Sequence, residues 1–373
     1  MTFPTQSPRS DFMGNPIVLT VTEKPLDNTT GGPISFHQVH LHVSVSRDGT
    51  PVAEYDLSKP FTGNKQQTMS FDISSCFRAA AEDYEYEPVT GNGTMYYPVY
   101  TASVYAYSSY IQDGARHTTT PLYPGGKNEG SAQTAGNTKF VIGSNMGRFS
   151  DFERRQSADN ASLVTSFSRK PESSPELVFA GDTICYAESY NELVGGSYIH
   201  CPSTSTTNIP QGSEGTSLTL DGHQYYVVPR RRGSVMFQFV NSRGCIESIR
   251  AFSLPSEKGN AAITDHTISR FETFGKFSRN IKRHQLRPAE FSLSSGHVDY
   301  QWARWWYYEF CQSEHVWMLV DQYNPLSRIL STTDFWLPVN IQPSDSTTII
   351  DPTKPDLLHV DFTVIPDMNG PLV

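Results

Sequence analysis

The segment Val235–Phe252 constrains the fold of this chain more than any other part of the sequence, because it predicts a β-hairpin. Apolar residues alternate before a central turn and resume after it with one break in phase. These apolar positions are Val235, Phe237, Phe239, Ile246, Ile249 and Phe252. The turn, Asn241–Gly244, ends in a glycine that can adopt the positive φ angle of a tight hairpin. Such a hairpin builds a sheet and carries no chemistry of its own.

The amino-acid composition also indicates a β-rich protein. Aromatic residues make up 12% of the 373 residues and charged residues only 18%, and there are 26 glycines and 25 prolines. Aromatic residues favour strands, whereas glycine and proline favour turns. The chain is longer than a typical single domain. We therefore predict a mainly β fold with two tandem β-sandwich-like domains, each with a short packed helix, and long surface loops.

The first predicted domain covers residues 1–170. Strands are predicted at 36–46 and 52–57, joined by an Asp-Gly turn that is typical of a hairpin. A helix follows from Ser74 or Ser75 to about Tyr84, and a Tyr-rich strand covers 97–107. The Gly/Thr-rich segment 112–137 has no periodicity and is predicted to be an exposed loop.

The second predicted domain covers residues 171–373 and begins at a Ser/Pro-rich linker, 170–175. A Ser/Thr-rich loop is predicted at 195–215, and a Trp-rich helix at 298–312. The other predicted elements are a hairpin at 218–228 and strands at 176–180, 182–187, 316–320, 335–341 and 357–365.

The Trp-rich helix supplies candidate packing or interface residues. Trp302, Trp305 and Trp306 lie at helical spacing, so one face of the helix is strongly aromatic. Such a face usually packs a helix onto a sheet, and an exposed sugar-binding platform is the alternative. Phe237 and Phe239 of the hairpin belong to the same candidate set.

Charge excludes one class of function and adds one candidate surface. The net charge of −9 argues against general nucleic-acid binding, which requires many cations. The single central basic run, Arg230, Arg231 and Arg232, is predicted to be a solvated turn or a subunit contact. The sequence shows no secretory signal and no apolar run of membrane-spanning length. Synthesis in a cytoplasm and no membrane association are therefore expected.

Motifs that would indicate an enzyme or a cofactor are absent from the sequence. It contains no GxSxG, no GxxxxGK[ST], no GxGxxG after a strand and no HExxH. His40 and His42 share one face of a strand and could bind a metal, but no third ligand is identifiable. The sequence therefore predicts no catalytic, cofactor-binding or metal-binding residue.

The five cysteines are odd in number, widely spaced and without a CxxC pair, so free buried thiols are predicted. Acidic pairs remain possible catalytic groups of a glycosidase, because two carboxylates need no sequence motif. The pairs are Glu82 with Asp83 and Asp151 with Glu153.

From Val235 onward the chain resembles structural proteins of tailed bacteriophages, particularly those that infect Bacteroidetes. The resemblance rests on the order of several short elements. These are Phe237–Glu247, Ser294–Gly296, Ser313–Trp317, Trp336–Val339 and Leu357–Val364, and the upstream segment Phe71–Ala79 is similar to a strand-to-helix element of the same group.

This resemblance implies a virion structural protein of the tail, baseplate or connector. It would assemble into a homo-oligomeric ring through β-domain packing and inter-subunit loops, contact neighbouring virion proteins, and perform no catalysis. One alternative is a carbohydrate-binding adhesin or receptor-binding tail module that uses Trp and Tyr stacking. A second alternative is a tail-spike glycan hydrolase.

Overall fold

The computed structural model describes residues 1–4, 10–26, 33–62, 64–125, 127–128, 141–145, 147, 168, 170–194, 197–220, 222–230, 233–251, 256–258, 264–271, 278–285, 290–321, 334–344 and 358–366. These residues form twenty-five β-strands, two short α-helices and one π-helical turn. The predicted mainly β, sandwich-like fold is therefore confirmed.

The N-terminal elements surround one apolar core. They are β1 (Ser10–Phe12), β2 (Val18–Glu23), β3 (Ile34–Arg47), β4 (Thr50–Pro60), β5 (Gln67–Asp72), α1 (Ser74–Ala80), β6 (Gly93–Tyr96), β7 (Tyr100–Gln112), β8 (Ala115–Thr118), β9 (Leu122–Tyr123), β10 (Lys127–Asn128) and β11 (Val141–Asn145). The main sheet has the order β1-β11-β7-β3-β4, with β8 and β9 paired to β7 and β10 paired to β9. The two-stranded antiparallel sheet β2–β5 and helix α1 contribute to the core on one face of this sheet.

Apolar and polar residues alternate along β3, and its apolar residues form the buried face of this sheet. Val39, Leu41, Val43 and Val45 are fully buried against the core that contains Phe77 of α1. The turn from β3 to β4 has positive φ angles at Asp48 (48°) and Gly49 (79°), as a two-residue hairpin requires. The predicted hairpin is therefore confirmed.

Two predictions for the N-terminal half need correction. Helix α1 ends at Ala80 instead of Tyr84, because residues 81–83 continue only as turns. The predicted loop 112–137 begins with three short strands, since β8 returns along β7 and β9 and β10 pair with each other. Residues 126 and 129–137 of that segment lie outside the described residues.

The remaining elements follow after residue 168. They are β12 (Glu176–Phe179), β13 (Thr183–Val194), β14 (Ser197–Asn208), β15 (Ser217–Leu220), β16 (His223–Val228), β17 (Val235–Val240), β18 (Ile246–Ala251), β19 (Ser256–Lys258), β20 (Thr264–Phe271), β21 (Ser278–Gln285), β22 (Glu290–Ser294), α2 (Tyr300–Trp305), the π turn (Trp306–Phe310), β23 (Val316–Val320), β24 (Phe335–Pro343) and β25 (Asp361–Pro366). The largest sheet here has the order β18-β17-β23-β24-β25-β22-β19. Smaller sheets have the orders β13-β14-β6 and β12-β16-β15.

The predicted loop at 195–215 is wrong for most of its length, because β14 pairs with β13 along twelve residues of each strand. The threonine side chains of β14 are β-branched, and such side chains favour an extended backbone. Thr204 is fully buried and donates its hydroxyl hydrogen to the carbonyl of Ile246, 3.0 Å away. The Ser/Thr composition that suggested a loop therefore belongs to a strand that is buried at residues 201–206, where the hydroxyls of Thr204, Ser205 and Thr206 have hydrogen-bond partners.

The Trp-rich helix is present but shorter than predicted. Instead of one helix over 298–312, α2 covers Tyr300–Trp305 and continues as the π turn, Trp306–Phe310. The carboxylate of Asp299 accepts a hydrogen bond from the Trp302 backbone N–H (3.0 Å), so the helix begins at a capped position after residue 298.

Pairing crosses the predicted boundary between residues 170 and 171, because β6 pairs with β14. The Tyr97 hydroxyl also accepts a hydrogen bond from the Ile246 backbone N–H (2.8 Å). The predicted linker is held in the same way: buried Lys170 forms a 2.7 Å ion pair with Glu176 and donates to the Ser248 carbonyl. Division into domains 1–170 and 171–373 remains a prediction.

The hairpin β17–β18 is confirmed, with Gly244 at φ 81°. One face, which we call the aromatic face, consists of Val235, Phe237, Phe239, Ile249 and Ala251. The other, which we call the polar face, includes Gln238, Ser248 and Arg250, with Met236 and Ile246. Both faces are buried, and the break in apolar phase arises because Ile246 packs into the N-terminal core.

Candidate functional site

The three tryptophans are buried and form part of the C-terminal core. Trp305 contacts Phe239 edge-to-face with ring centroids 5.4 Å apart, and Trp306 stacks on Phe362 at 5.7 Å. The Trp302 indole N–H donates to the carbonyl of Ser174 (3.0 Å). A buried ring cannot offer its face to a sugar, so this geometry supports packing and provides no Trp platform.

The basic run is described only at its first residue. Arg230 is exposed and its guanidinium lies 3.3 Å from the carboxylate of Asp182. Asp182 is buried and also pairs with Arg250 (2.9 Å), so Arg230 covers the solvent side of an internal ion pair. Arg231 and Arg232 lie outside the described residues.

A buried polar cluster surrounds Lys170, which is held by an ion pair with Glu176, while the Tyr225 hydroxyl and one oxygen of Glu247 have no hydrogen-bond partner among the described residues. Burial is the largest single effect and lowers the pKa of Lys170, but Glu176, Tyr225 and Glu247 together outweigh it, so the pKa of Lys170 is raised. The amine also lies 5.4 Å from the centre of the Tyr225 ring. Glu247 accepts a hydrogen bond from Ser168 (2.8 Å). This cluster fixes the segment around 168–176 to β12, β16 and β18.

The histidine pair on β3 is engaged in stacking and hydrogen bonds. His40 stacks on Tyr107 at 4.6 Å and lies 2.7 Å from the Ser109 hydroxyl. His42 stacks on Tyr105 at 4.5 Å and lies 3.3 Å from Asp56. In the part of the chain that the structure describes, no three His, Cys, Asp or Glu side chains are grouped to hold a metal ion. The geometry gives no support to the metal alternative.

The hairpin turn forms one side of an open cleft with a volume of about 460 Å³. A second side comes from α1 and the residues after it, including Arg78 and Tyr84. The third side is the segment from the end of the π turn to His315. Three stretches that are far apart in sequence therefore meet at this cleft.

Hydrogen bonds fix the walls of the cleft. The Glu309 carboxylate accepts from the Ser242 backbone N–H (2.8 Å) and from its hydroxyl (3.1 Å). The Tyr86 hydroxyl donates to the Gly244 carbonyl (3.0 Å), and burial raises the pKa of Tyr86 well above its usual value. A side chain at Gly147 would place its Cβ 2.6 Å from the Arg243 carbonyl carbon, so only glycine fits there.

Sequence reasoning did not identify the cleft residues. Tyr84, Tyr308 and Glu309 belong to no motif, and His315 lies within the element Ser313–Trp317 without being a candidate site residue. The one local signal was the turn Asn241–Gly244, whose residues contribute to the cleft but indicate only a hairpin.

A second candidate feature is the far end of β13–β14, residues 190–194 and 197–201, which we call the ribbon. Strand β6 pairs only with Ser203–Thr206, so the ribbon is two-stranded among the described residues. Near its end Leu193 and Tyr198 are cross-strand partners, and they are 61% and 75% exposed. Contiguous exposed apolar patches mark interaction sites, so this adjacent pair is a candidate contact surface.

Comparison with known proteins adds no family assignment. No known protein-family model matches the chain, and no curated protein matches it significantly in sequence. None of the helices in the described ranges is long and apolar enough to cross a membrane.

Proposed function

We propose that this chain is a virion structural protein of a tailed bacteriophage, in the tail, baseplate or connector, and that it assembles with copies of itself into a ring. The phage assignment rests on the ordered elements after Val235 that resemble such proteins. The self-assembly rests on one structural observation, the exposed apolar pair Leu193 and Tyr198 at the end of the ribbon.

The strand register explains why this pair needs a partner. Alternate residues of a strand share a face, so Leu193 lies on the same face of β13 as Cys185 and Ala187. Those two residues are fully buried in the N-terminal core. The core-packing face of the ribbon thus continues past the core and ends in an exposed Leu–Tyr pair.

Energetics favour covering that pair in an assembly. A two-stranded hairpin is marginally stable by itself, and removing apolar surface from water contributes about 25 cal/mol per Å². A neighbouring copy that covers the ribbon would bury the exposed pair and hold the hairpin in one conformation.

Particle size tests the proposal directly. We expect the purified wild-type chain to form symmetric rings in negative-stain images and a single high-mass species in mass photometry. The double variant Leu193→Ser/Tyr198→Ser is expected to remain monomeric, with far-UV circular dichroism unchanged.

The matched control is Leu177→Ser/Tyr226→Ser. These residues are also a cross-strand Leu–Tyr pair, at 39% and 38% exposure on β12 and β16. The control should still form rings. A wild-type chain that stays monomeric at high concentration would contradict self-assembly, and rings formed by the ribbon variant would exclude the ribbon as the contact.

The acidic pairs that the sequence suggested give the hydrolase alternative no support. Glu82 and Asp83 are exposed and lie in the turn after α1, and neither lines the cleft. Asp151 and Glu153 lie outside the described residues. We therefore propose a non-catalytic role.

A further inference from the structure

We propose that the cleft at the hairpin turn binds one or two sugar units of a neutral oligosaccharide. This binding site is additional to the proposed assembly role and uses no residue of the ribbon. Its volume of about 460 Å³ falls within the range of about 300–1,000 Å³ that is usual for small-ligand sites.

The lining of the cleft has the mixed character that a sugar requires. Tyr84 and Tyr308 are half-buried rings in the walls, and His315 is an exposed ring at the rim. Aromatic rings pack against the C–H faces of a sugar, while its hydroxyls need donors and acceptors in nearly every direction. Carboxylate, guanidinium, amide and hydroxyl groups at the cleft provide both kinds.

Hydrogen bonds hold two charged side chains of the cleft in position before a ligand binds. Glu309 is buried and receives two hydrogen bonds from Ser242, so its carboxylate is held in position before any ligand arrives. The Arg78 guanidinium donates to the Met13 carbonyl (3.0 Å), which fixes the opposite wall. Polar groups fixed in advance cost less entropy on binding than mobile ones.

Charge selects a neutral ligand over an anionic one. The charged lining residues are Arg78, Glu309 and Glu314, which carry one positive and two negative charges. A phosphate or sulfate group would meet two carboxylates and one guanidinium that already has a partner. A polyhydroxylated neutral ring makes hydrogen bonds to both signs without leaving a charge uncompensated.

Saturation-transfer NMR on the full chain tests the inference. The probes are maltopentaose, cellopentaose, chitopentaose and mannopentaose, each at millimolar concentration. We expect transfer to at least one of them. Tyr308→Ala should weaken that binding by about two- to tenfold, the size of one aromatic contact.

Glu314→Gln provides a second test that does not depend on a packed ring, because Glu314 is exposed. It should also weaken the binding of that sugar. Tyr105→Ala is the control, since Tyr105 is a half-buried tyrosine of β7 that does not line the cleft. The control should bind like wild type.

Two results would overturn the inference: no transfer to any of the four probes, or transfer that both cleft variants leave unchanged. The measurement is repeated on Leu193→Ser/Tyr198→Ser, which is expected to be monomeric. Ring formation without sugar binding would reject only the sugar site. Sugar binding by a chain that never assembles would reject only the proposed assembly.

Discussion

The two faces of the hairpin β17–β18 are equally buried but are stabilised in different ways. The aromatic face packs Phe237 and Phe239 against the Trp-rich helix and Phe310. The polar face is covered by β13 and by residues near Val89, through side-chain hydrogen bonds and one ion pair. A polar side chain on a strand therefore need not face water, provided that each of its groups finds a partner.

The two faces should respond differently to substitution. Contacts on the aromatic face are numerous and non-directional, so loss of atoms costs energy in proportion to the cavity that remains. Contacts on the polar face are few and directional, so loss of one partner leaves the other partner buried and unsatisfied.

The largest effect is expected from Phe237→Ala. It removes a fully buried ring that touches both Phe310 and Phe362, and should lower the free energy of unfolding by about 3–5 kcal/mol. Urea denaturation followed by fluorescence measures this loss. Phe36→Ala, at a phenylalanine that is 65% exposed, should change stability by no more than about 0.5 kcal/mol. Similar losses in the two variants would contradict the core assignment.

Arg250→Ala should be nearly as costly, for a different reason. Arg250 makes two hydrogen bonds to the Asp182 carboxylate (2.9 and 3.0 Å), and its removal leaves much of a buried negative charge uncompensated. Breaking such a pair lowers the free energy of unfolding by about 3–5 kcal/mol.

The double variant Arg250→Met/Asp182→Asn separates charge from packing. It removes both charges, while the asparagine oxygen can still accept the hydrogen bond from the Phe179 backbone N–H (3.0 Å). We expect it to recover more than half of the stability lost in Arg250→Ala. A double variant that is no more stable than the single one would show that packing, and not the unpaired charge, sets the cost.

Gln238→Leu should have an intermediate effect. The Gln238 amide donates to the Val89 carbonyl (2.9 Å) and accepts from the Val89 backbone N–H (2.8 Å). Leucine leaves the Val89 N–H and carbonyl without this partner, so the free energy of unfolding should fall by about 1–3 kcal/mol. The effect is not larger because Val89 is only half-buried. Gln224→Leu, at an exposed glutamine of β16, is the matched control. Equal stability of the two variants would argue against the Val89 contact.

The smallest effect is expected from thiol reagents. All five cysteines are free and buried, as the sequence predicts. Burial raises the pKa of Cys185 to about 12, and burial together with Glu192 does the same for Cys201, so very little reactive thiolate exists at pH 8. Labelling with a disulfide reagent should modify no thiol in the native chain and five after denaturation. Fast labelling of a native thiol would reveal an open region.

Local signals made several elements predictable. The turns Asp48–Gly49 and Asn241–Gly244 each carry the glycine that their backbone geometry requires, and both hairpins are present. The Trp spacing predicted a helix packed by its aromatic face, because side chains three and four residues apart share a face. Its length was overestimated because the helix begins only after the cap at Asp299.

Elements whose stability comes from distant partners were missed. The sequence predicts a loop where strand β14 lies, because serine and threonine are also common in loops. The strand is stabilised by backbone pairing with β13 and β6 and by the hydrogen bond from the Thr204 hydroxyl to the Ile246 carbonyl. The cleft was missed for the same reason, since its walls come from the regions around 78–86, 241–244 and 308–315.

The sequence by itself determined that this chain is a β protein, where its tight turns lie, which helix is aromatic, and that its cysteines are free. Those properties follow from residue periodicity, turn chemistry and cysteine spacing, which act over short stretches of chain. Only the tertiary structure decided that both faces of the central hairpin are buried, that the ribbon ends in an exposed Leu–Tyr pair, and that a cleft forms beside the turn. Each of these depends on which distant strand covers which face, and residue patterns within one segment do not encode that pairing.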